Sequence, residues 1–285
     1  MTPDDKIAAL DARRHFAFVA RQPDAAIDLA HAALLVAAED DPQQCDVTVC
    51  RAVLHDMGVE ARARIERSPG AEVEALNSYL FGQLRFAGDR EEYYDARNSL
   101  LHHVLERRRG IPITLSVVYM AVGRRAGLQV EGVGLPGHFI VRVRPGSSSM
   151  SATLVDPFHG TVINEGDCQE RLDTVYGGQV PLTREHLRAA TTRETLVRLL
   201  RNLKAIYTQA QLHVRALAVV ERILLLAPRA LEERRDRGML LGQLNRLSEA
   251  TADLQNYLKR APAAPDAEQV REQLKKLQIR LAMRN

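Results

Sequence analysis

Residues 107–128 read RRRGIPITLSVVYMAVGRRAGL, and this stretch determines the fold that we predict. Pro112 suits the first turn of a helix, where the missing N–H of proline costs nothing. From Ile113 onward the residues are apolar on nearly every side, which indicates a helix buried in a protein core. Gly127 ends this helix. Because the apolar run is short and contains hydroxyl side chains, it does not predict a membrane span.

The residues before and after this helix predict the fold class. The first hundred residues are expected to form a helical cap, with helices at 24–39, 43–66 (one helix, or a pair broken at Gly58), 71–86 and 95–108. Short β-prone segments follow the buried helix, and they are Gln129–Val133, His138–Arg144 and Thr153–Phe158, with a hairpin-like loop at Gly146–Ser149. A buried helix packed against antiparallel strands gives an α+β fold.

The C-terminal part is helical to the end, and its pattern repeats. Ala216 and Ala250 are 34 residues apart, and so are Pro228 and Pro262. This is the period of a tetratricopeptide repeat, in which a small residue lets the second helix approach the first and a proline ends the second helix. We therefore predict two domains, which are a helical cap plus core at 1–184 and all-α tetratricopeptide-like hairpins at 185–285.

Charge and cysteine content restrict the possible partners and the compartment. Residues 1–100 carry 11 basic and 18 acidic side chains, whereas residues 191–285 carry 18 and 10. A basic tail attracts acidic partners, but no recognition helix or aromatic-studded basic strand is visible, so nucleic-acid binding is not predicted. The three cysteines lack CxxC spacing and the start lacks an apolar signal segment. These features predict a soluble cytoplasmic protein.

Three strings carry a resemblance to a known family, and they are RRRGIPITLS at 107–116, PGHF at 136–139 and DPFHG at 156–160. With them the chain resembles the SirB-type family of bacterial proteins, which join a transglutaminase-like, papain-type core to tetratricopeptide repeats. The resemblance spans most of the chain. It implies this two-part fold and a regulatory role.

An active transglutaminase-like site has a cysteine at the start of the buried helix, a histidine base on a facing strand and an aspartate that orients the histidine. The resemblance implies His138 as the base and Asp156 as its partner, and it puts Pro112 where the cysteine belongs. Proline has no nucleophilic group, so cysteine-dependent amide chemistry is not predicted. Thr114 is a remote candidate for a replacement nucleophile. Cys168 is expected to be a buried or idle thiol.

We therefore predict a non-catalytic interaction or regulatory protein with a pocket at His138, Asp156 and Pro112. Asn98 and Arg109 are expected to brace the turn before the buried helix. The C-terminal helical repeats are predicted to bind a protein or peptide partner. The alternative function is a hydrolase or acyl transferase that uses His138 and Asp156 with an unrecognised nucleophile. The pair also has a purely structural interpretation, as a link between adjacent strands.

No cofactor or metal is predicted. The P-loop pattern GxxxxGK[ST] is absent, so the sequence gives no support for a nucleotide cofactor. The candidate ligands for a metal site are four histidines, namely His102, His103, His138 and His159. Adjacent residues of a helix point to different faces, however, so His102 and His103 are expected to make a poor chelate.

Overall fold

The computed structural model describes residues 2–144 and 152–283 of the chain. The chain divides into two compact units, one that extends to Thr195 and one that begins at Leu196. The first unit contains the helical cap and the core, and the second contains the helical hairpins. The hairpin-like loop predicted at Gly146–Ser149 lies outside the described residues.

The first unit combines helices with a small sheet, which confirms the predicted α+β class. Its helices are α1 (Pro3–Val19), α2 (Leu29–Asp40), α3 (Val47–Glu66), α4 (Glu72–Asn77), α5 (Leu101–Arg107), α6 (Pro112–Arg125) and α7 (Glu165–Tyr176). Its strands are β1 (Ala87–Gly88), β2 (Arg109–Gly110), β3 (Gln129–Val133), β4 (Ile140–Arg144), β5 (Thr153–Asp156) and β6 (Thr161–Ile163). Strands β1 and β2 pair in parallel, and β3 to β6 form an antiparallel sheet in chain order.

Helix α6 is the centre of the first unit. Every residue from Pro112 to Gly123 is buried, as the apolar pattern predicts. The helix packs against α2, α3 and α5 of the cap and against β3 and β4 of the sheet. Because each fully buried aliphatic side chain contributes about 1.5–3 kcal/mol, this one helix supplies a large share of the free energy that holds cap and sheet together.

Helix α3 runs unbroken through Gly58, so of the two predicted arrangements the single helix is the one observed. Gly58 instead marks a close approach of α3 to α6. A Cβ atom at position 58 would lie only 2.6 Å from the Cβ of Arg125. The packing of two helices, and not the end of one, therefore requires a glycine here.

Other helices of the cap are shorter than predicted. The predicted helix 24–39 is observed as Leu29–Asp40, 71–86 as Glu72–Asn77 followed by a π-helical segment Ser78–Gln83, and 95–108 as Leu101–Arg107. The later start of α2 has a clear cause. The side chain of Asp28 accepts a hydrogen bond from the N–H of His31 at 3.0 Å, so Asp28 is the N-cap.

The sheet brings two distant segments together. Val141 of β4 lies opposite Val155 of β5, in antiparallel register. The start of β4 is therefore beside the end of β5. Strand β4 begins at Ile140 rather than at the predicted His138, and β5 ends at Asp156 rather than at Phe158. His138 and Asp156 thus lie at neighbouring strand ends.

The second unit is all helical. Its elements are α8 (Thr192–Gln209, which begins before the boundary), α9 (His213–Leu226), α10 (Leu231–Gln243), α11 (Leu247–Arg260) and α12 (Ala267–Ala282). Helix α10 packs against α9, α11 and α12. Across the described ranges 2–144 and 152–283, no helix has both the length and the apolar character that a bilayer-spanning segment needs.

The 34-residue period of the sequence is also a period of the structure. Gln211 follows α8 and Asn245 follows α10, and both have left-handed backbones with φ of 57° and 62°. Ala216 and Ala250 are fully buried. At Gly238 of α10, a Cβ atom would lie 2.6 Å from a leucine side chain of α11. Small residues therefore permit the close packing of helices within a hairpin, as predicted.

Replacing Gly58 with alanine is expected to lower the free energy of unfolding by about 2 kcal/mol, because the added methyl group overlaps Arg125. Alanine has the higher helix propensity, by about 1 kcal/mol. The same substitution in a helix without a close neighbour would therefore be stabilising. Urea unfolding followed by circular dichroism measures the difference.

Gly82→Ala is the matched control, because the nearest atom to its added Cβ is the Ser78 Oγ at 3.8 Å. We expect this variant to be as stable as the wild type or more stable, by up to about 1 kcal/mol. Equal effects of Gly58→Ala and Gly82→Ala would contradict the close approach of α3 and α6.

Candidate functional site

A tight turn positions His138. Its N–H donates a hydrogen bond to the carbonyl of Leu135 at 3.1 Å. Pro136 occupies the second position of this turn, and Gly137 the third, with φ of +71°. This is the residue pattern of a type II turn, which requires positive φ at its third position. The conformation of the string PGHF therefore fixes where His138 enters the site.

Asp156 organises the loop that follows β5, which is the string DPFHG. Its Oδ1 accepts hydrogen bonds from the N–H groups of Phe158 at 2.9 Å and His159 at 3.3 Å. The N–H of Gly160 donates to the Asp156 carbonyl at 2.8 Å. An aspartate that accepts hydrogen bonds from the main chain just ahead of it forms an Asx turn. One carboxylate oxygen is thus used to fold the loop.

The second oxygen of Asp156, Oδ2, contacts three side chains from different segments. His138 Nε2 and His159 Nδ1 each lie 2.8 Å away, and Arg171 Nη2 of α7 donates to it at 2.6 Å. The Asp156 side chain is fully buried, while that of His138 is 13% exposed. This group of four residues, the Asp156 cluster, joins the start of β4, the loop after β5 and α7.

The pKa of Asp156 reflects opposing influences. Burial raises it, but the hydrogen bond and charge of His138, with hydrogen bonds from His159 and Arg171, lower it by more. The net result holds the pKa of the Asp156 carboxyl well below its usual range, so the group is ionised at neutral pH. An ionised carboxylate against Nε2 of His138 favours the proton on that nitrogen and makes Nδ1 the basic one.

The turn before α6 is braced by a buried hydroxyl. The N–H of Ile111 donates to Thr114 Oγ1 at 3.1 Å, and this hydroxyl donates to the carbonyl of Asn98 at 2.7 Å. At Gly110, a Cβ atom would lie 2.7 Å from the same oxygen. Thr114 is fully buried. Its hydroxyl therefore serves the main chain around the start of α6.

Ser116 connects the start of α6 to the start of β4. Its side chain is fully buried, and its hydroxyl donates to the carbonyl of Pro112 at 2.8 Å. The same oxygen lies 3.5 Å from the carbonyl of Phe139, the residue after His138. The first turn of α6 therefore lies beside the segment that carries the imidazole.

The sequence prediction assigns the bracing of this turn to Asn98 and Arg109. Asn98 is fully buried, and its amide donates to the carbonyl of Glu92 at 2.7 Å. Its oxygen accepts from Arg107 at 3.0 Å, and Arg107 also pairs with Asp89 at 3.2 Å. Arg109 is exposed on β2. The guanidinium that contacts Asn98 therefore belongs to Arg107.

Cys168 of α7 lies in the apolar core. It is fully buried among Val133, Leu135 and Ile140. Burial raises the pKa of this thiol to about 11. A thiol with such a pKa is protonated at neutral pH and is a poor nucleophile, in agreement with the expectation of a buried, idle group.

Phe158 forms one side of the site. Its ring meets the His138 ring edge-on, with centroids 6.2 Å apart and an interplanar angle of 88°. The ring also covers Gly88 of β1, where a Cβ atom would lie 2.4 Å from it. The N–H of Gly88 donates to the Phe158 carbonyl at 3.0 Å. Phe158 therefore ties β1 to the DPFHG loop.

The Asp156 cluster contains a possible set of metal ligands. The ligand atoms of His138, Asp156 and His159 lie within 4.8 Å of one another. Arg171, however, already donates to the shared carboxylate oxygen, and its permanent positive charge opposes a second cation there. The cluster is therefore better suited to a polar or anionic group than to a metal ion.

The string GVGLPG at 132–137 has the spacing GxGxxG of a dinucleotide-binding loop. In such a loop the glycines join a strand to a helix whose N-terminus holds the pyrophosphate. Here the string joins β3 to β4, two antiparallel strands. It therefore gives no support for a nucleotide site.

The structure brings His138 and Asp156 together and places the start of α6 beside them. His102 and His103 lie elsewhere, on α5 near Asp41. Sequence reasoning assigned no role to Phe158 or Arg171. The first stands inside the DPFHG string, but Arg171 lies on a separate helix without a local pattern that marks it.

Family comparisons agree with both units. The profile of the transglutaminase-like superfamily matches residues 48–201, which is more than half of the chain. A tetratricopeptide-repeat profile matches residues 203–275. No solved structure matches the chain.

Curated relatives identify the family more closely. A UPF0162 protein of Xylella fastidiosa is 37% identical over 262 residues, which cover 88% of this chain and 90% of that protein. A UPF0162 protein of Vibrio cholerae is 29% identical over 212 residues, which cover 74% of this chain and 78% of that protein. F-box only protein 21 of Mus musculus is 37% identical over 94 residues, which cover 33% of this chain and 15% of that protein. The chain thus belongs to the transglutaminase-like superfamily, within the bacterial UPF0162 proteins, and carries C-terminal tetratricopeptide repeats.

Proposed function

We propose that this protein is a non-catalytic interaction and regulatory protein, in which a degenerate transglutaminase-like core supports a helical repeat that binds a protein or peptide partner. The observation that carries the proposal is the chemistry at the start of α6. Pro112 is the first helical residue, and the nearby hydroxyls of Thr114 and Ser116 are buried and donate to main-chain carbonyls.

Cysteine-dependent acyl transfer requires a thiolate at this helix start, where the helix dipole and free N–H groups lower the pKa of the thiol. Pro112 supplies no nucleophile, and it also lacks the N–H that could stabilise an oxyanion. Removing the nucleophile of a working triad costs about 10⁶-fold in rate. The hydrogen bonds of Thr114 to the main chain argue against this residue as a substitute.

The Asp156 cluster supports a structural role with a recognition surface. Arg171 carries a permanent positive charge that neutralises the buried carboxylate of Asp156. A structural ion pair needs such a counter-charge, whereas the aspartate of a catalytic triad does not. The side chain of His159 is 36% exposed. Its Nδ1 contacts Asp156, so Nε2 is the nitrogen of this ring that can meet a polar group of a partner.

The second unit supports an acidic partner. Its buried acidic residues already form ion pairs. Glu233 pairs with Arg201 and Lys204 at 2.8 Å each. Asp253 pairs with Arg237 at 2.5 Å. Basic side chains remain exposed on α11 and α12, and they are Lys259, Arg260, Lys275 and Lys276. A surface with this excess of positive charge attracts acidic segments of other proteins.

The regulatory role and the cytoplasmic compartment rest on two further supports. The first is the resemblance to SirB-type proteins. The second is the state of Cys45, Cys50 and Cys168, which are free thiols. Thiols that are not paired in disulfides are typical of proteins in a reducing compartment.

A hydrolase or acyl transferase is the second candidate function. It is favoured by the 2.8 Å contact between His138 Nε2 and Asp156, which is the base–orienter geometry of a catalytic triad. This candidate requires a nucleophile other than the buried groups Thr114, Ser116 and Cys168.

We expect no acyl transfer by the wild type. With a glutamine donor peptide and a labelled amine, the wild type should form no more product than His138→Ala, because Pro112 supplies no nucleophile at the start of α6. Mass spectrometry of the peptide measures the product. Wild-type turnover that disappears in His138→Ala would support the enzyme instead.

The variant Pro112→Cys is the positive control for this experiment. Its new thiol is expected to react with iodoacetamide at least about 10-fold faster than in the double variant with His138→Ala, because an imidazolium neighbour lowers the pKa of a thiol. Peptide mapping distinguishes this thiol from the native ones. Equal rates would contradict the inference that position 112 faces His138.

Asp156→Asn is expected to lower the free energy of unfolding by about 3 kcal/mol at pH 7, because it leaves Arg171 without its counter-charge. The folded-state pKa of Asp156 lies below its unfolded value of about 3.9. The carboxylate therefore contributes its stability above that pH and loses it as the pH falls further. Urea titrations at several pH values test this dependence.

Asp56→Asn, which changes an exposed carboxylate of α3, is the matched control and should leave stability almost unchanged. The difference between wild type and Asp156→Asn should stay constant from neutral pH to about 4 and decrease below it. A difference that is equally small for both variants would contradict the structural role of the cluster.

Partner binding is expected to depend on the basic surface of α11 and α12. When the full chain is used to capture proteins from a bacterial lysate, the triple variant Lys259→Glu, Lys275→Glu and Lys276→Glu should lose the partner. His138→Ala should retain it. The fraction captured is measured by quantitative mass spectrometry at two salt concentrations.

Two outcomes would contradict this assignment. Capture that survives the triple reversal would show that the basic surface is not used. Capture that nuclease treatment removes would instead indicate nucleic acid, whose binding falls steeply with salt.

A further inference from the structure

A second polar cluster lies in the helical cap, away from the site described above. It consists of Asp41, which follows the last residue of α2, and of His102 and His103 on α5. The ligand atoms of the three residues lie within 4.8 Å of one another. His102 and His103 are buried, and the Asp41 side chain is 21% exposed.

The two histidines do not diverge, contrary to the expectation for neighbouring helical residues. Their ring centroids lie 3.9 Å apart with an interplanar angle of 35°. His103 Nε2 lies 3.4 Å from Asp41 Oδ2, and His102 Nε2 lies 3.7 Å from the same oxygen. Both rings therefore direct a nitrogen at one carboxylate oxygen.

The distances are too long for good hydrogen bonds, which for N–H···O peak near 2.9–3.0 Å. They fit ligands of a common metal ion much better. With metal–ligand bonds of about 2.0–2.1 Å, two ligand atoms of a tetrahedral zinc site lie about 3.4 Å apart. The separations of 3.4 and 3.7 Å are close to this value.

His102 gives an independent indication of a missing ligand. It is 95% buried, with a relative exposure of 5%, and neither of its ring nitrogens has a hydrogen-bond partner within the described residues. A buried polar atom without a partner carries a desolvation cost, and native structures seldom leave one in place. A metal ion bonded to Nε2 would remove that cost for this one of the two nitrogens.

The surroundings favour a cation. Glu39, Asp40 and Asp41 are consecutive acidic residues at the C-terminal end of α2. The exposed carbonyls at this helix end carry partial negative charge, which adds to the attraction. On the other side, Glu106 Oε2 lies 3.7 Å from His103 Nδ1, the nitrogen that does not face Asp41. At this distance the carboxylate supports His103 through its charge rather than through a hydrogen bond.

We propose that Asp41, His102 and His103 bind a divalent transition-metal ion such as Zn²⁺, in a site of three protein ligands with one position open to water. Imidazole and carboxylate ligands suit zinc and its neighbours, whereas Mg²⁺ and Ca²⁺ prefer all-oxygen ligands. The site differs from the Asp156 cluster in having no arginine against its carboxylate among the contacts of the described residues.

The test is calorimetric titration of Zn²⁺ into the metal-free, untagged full-length protein. We expect one zinc ion per chain and a rise in the midpoint of thermal unfolding on zinc addition. Asp41→Asn and His103→Gln should each weaken binding by at least about 10-fold. His55→Gln, which removes an exposed histidine of α3, should bind zinc as the wild type does. An excess of Mg²⁺ should not compete.

Glu106→Gln covers the case in which the ligand variants unfold in the absence of metal. The side chain of Glu106 is 75% exposed, so its replacement should leave the fold intact and weaken zinc binding by about 2- to 5-fold through His103. The proposal is overturned if the wild type binds no zinc. It is also overturned if binding is unaffected by all three variants, or if His159→Gln abolishes it and thereby assigns the ion to the Asp156 cluster.

Discussion

The carboxylate of Asp156 is buried against groups from three separate segments of the chain. One oxygen accepts main-chain hydrogen bonds and closes the loop that follows β5. The other accepts from His138, His159 and Arg171. An uncharged or missing side chain at this position would leave several buried donors unpaired at once, and each would carry its own desolvation cost. The apolar helix α6 determines how the layers stack, and this carboxylate determines how their ends are joined.

The same arrangement supports the proposal that the His138–Asp156 pair has a structural role. His138 has the orientation that an aspartate gives to the base of a triad, yet the hydroxyls of Thr114 and Ser116 are used to hold the main chain around Pro112. A structural need for the His138–Asp156 contact is sufficient to account for its geometry. Catalysis would require something further, namely a reactive group at the start of α6.

Sequence patterns predicted those features that depend on local chemistry. The all-round apolar run identified the buried helix α6, and the 34-residue period identified the hairpins of the second unit. The family resemblance carried by PGHF and DPFHG implied that His138 and Asp156 meet, whereas the turns that place them at strand ends were not predicted. The apolar run and the repeat period are both properties of the order of residues along the chain, so they are visible in a single sequence.

Other features depend on which elements become neighbours, and these could not be predicted. A glycine inside a helix is compatible with a break or with a close contact, and only the presence of α6 decides the matter for Gly58. Arg171 carries no local signal, because its partner is a carboxylate on another element. The convergence of His102 and His103 likewise depends on the end of α2, which supplies Asp41 between them.

The left-handed residues Gln211 and Asn245 give the second unit a property that the first lacks. The two turns, at Gln211 and at Asn245, have the same left-handed backbone and lie one repeat length of 34 residues apart. Duplication or deletion of a whole repeat in the gene would preserve the interhelical packing of the remaining hairpins. The number of hairpins in the second unit can therefore change during evolution in steps of one repeat.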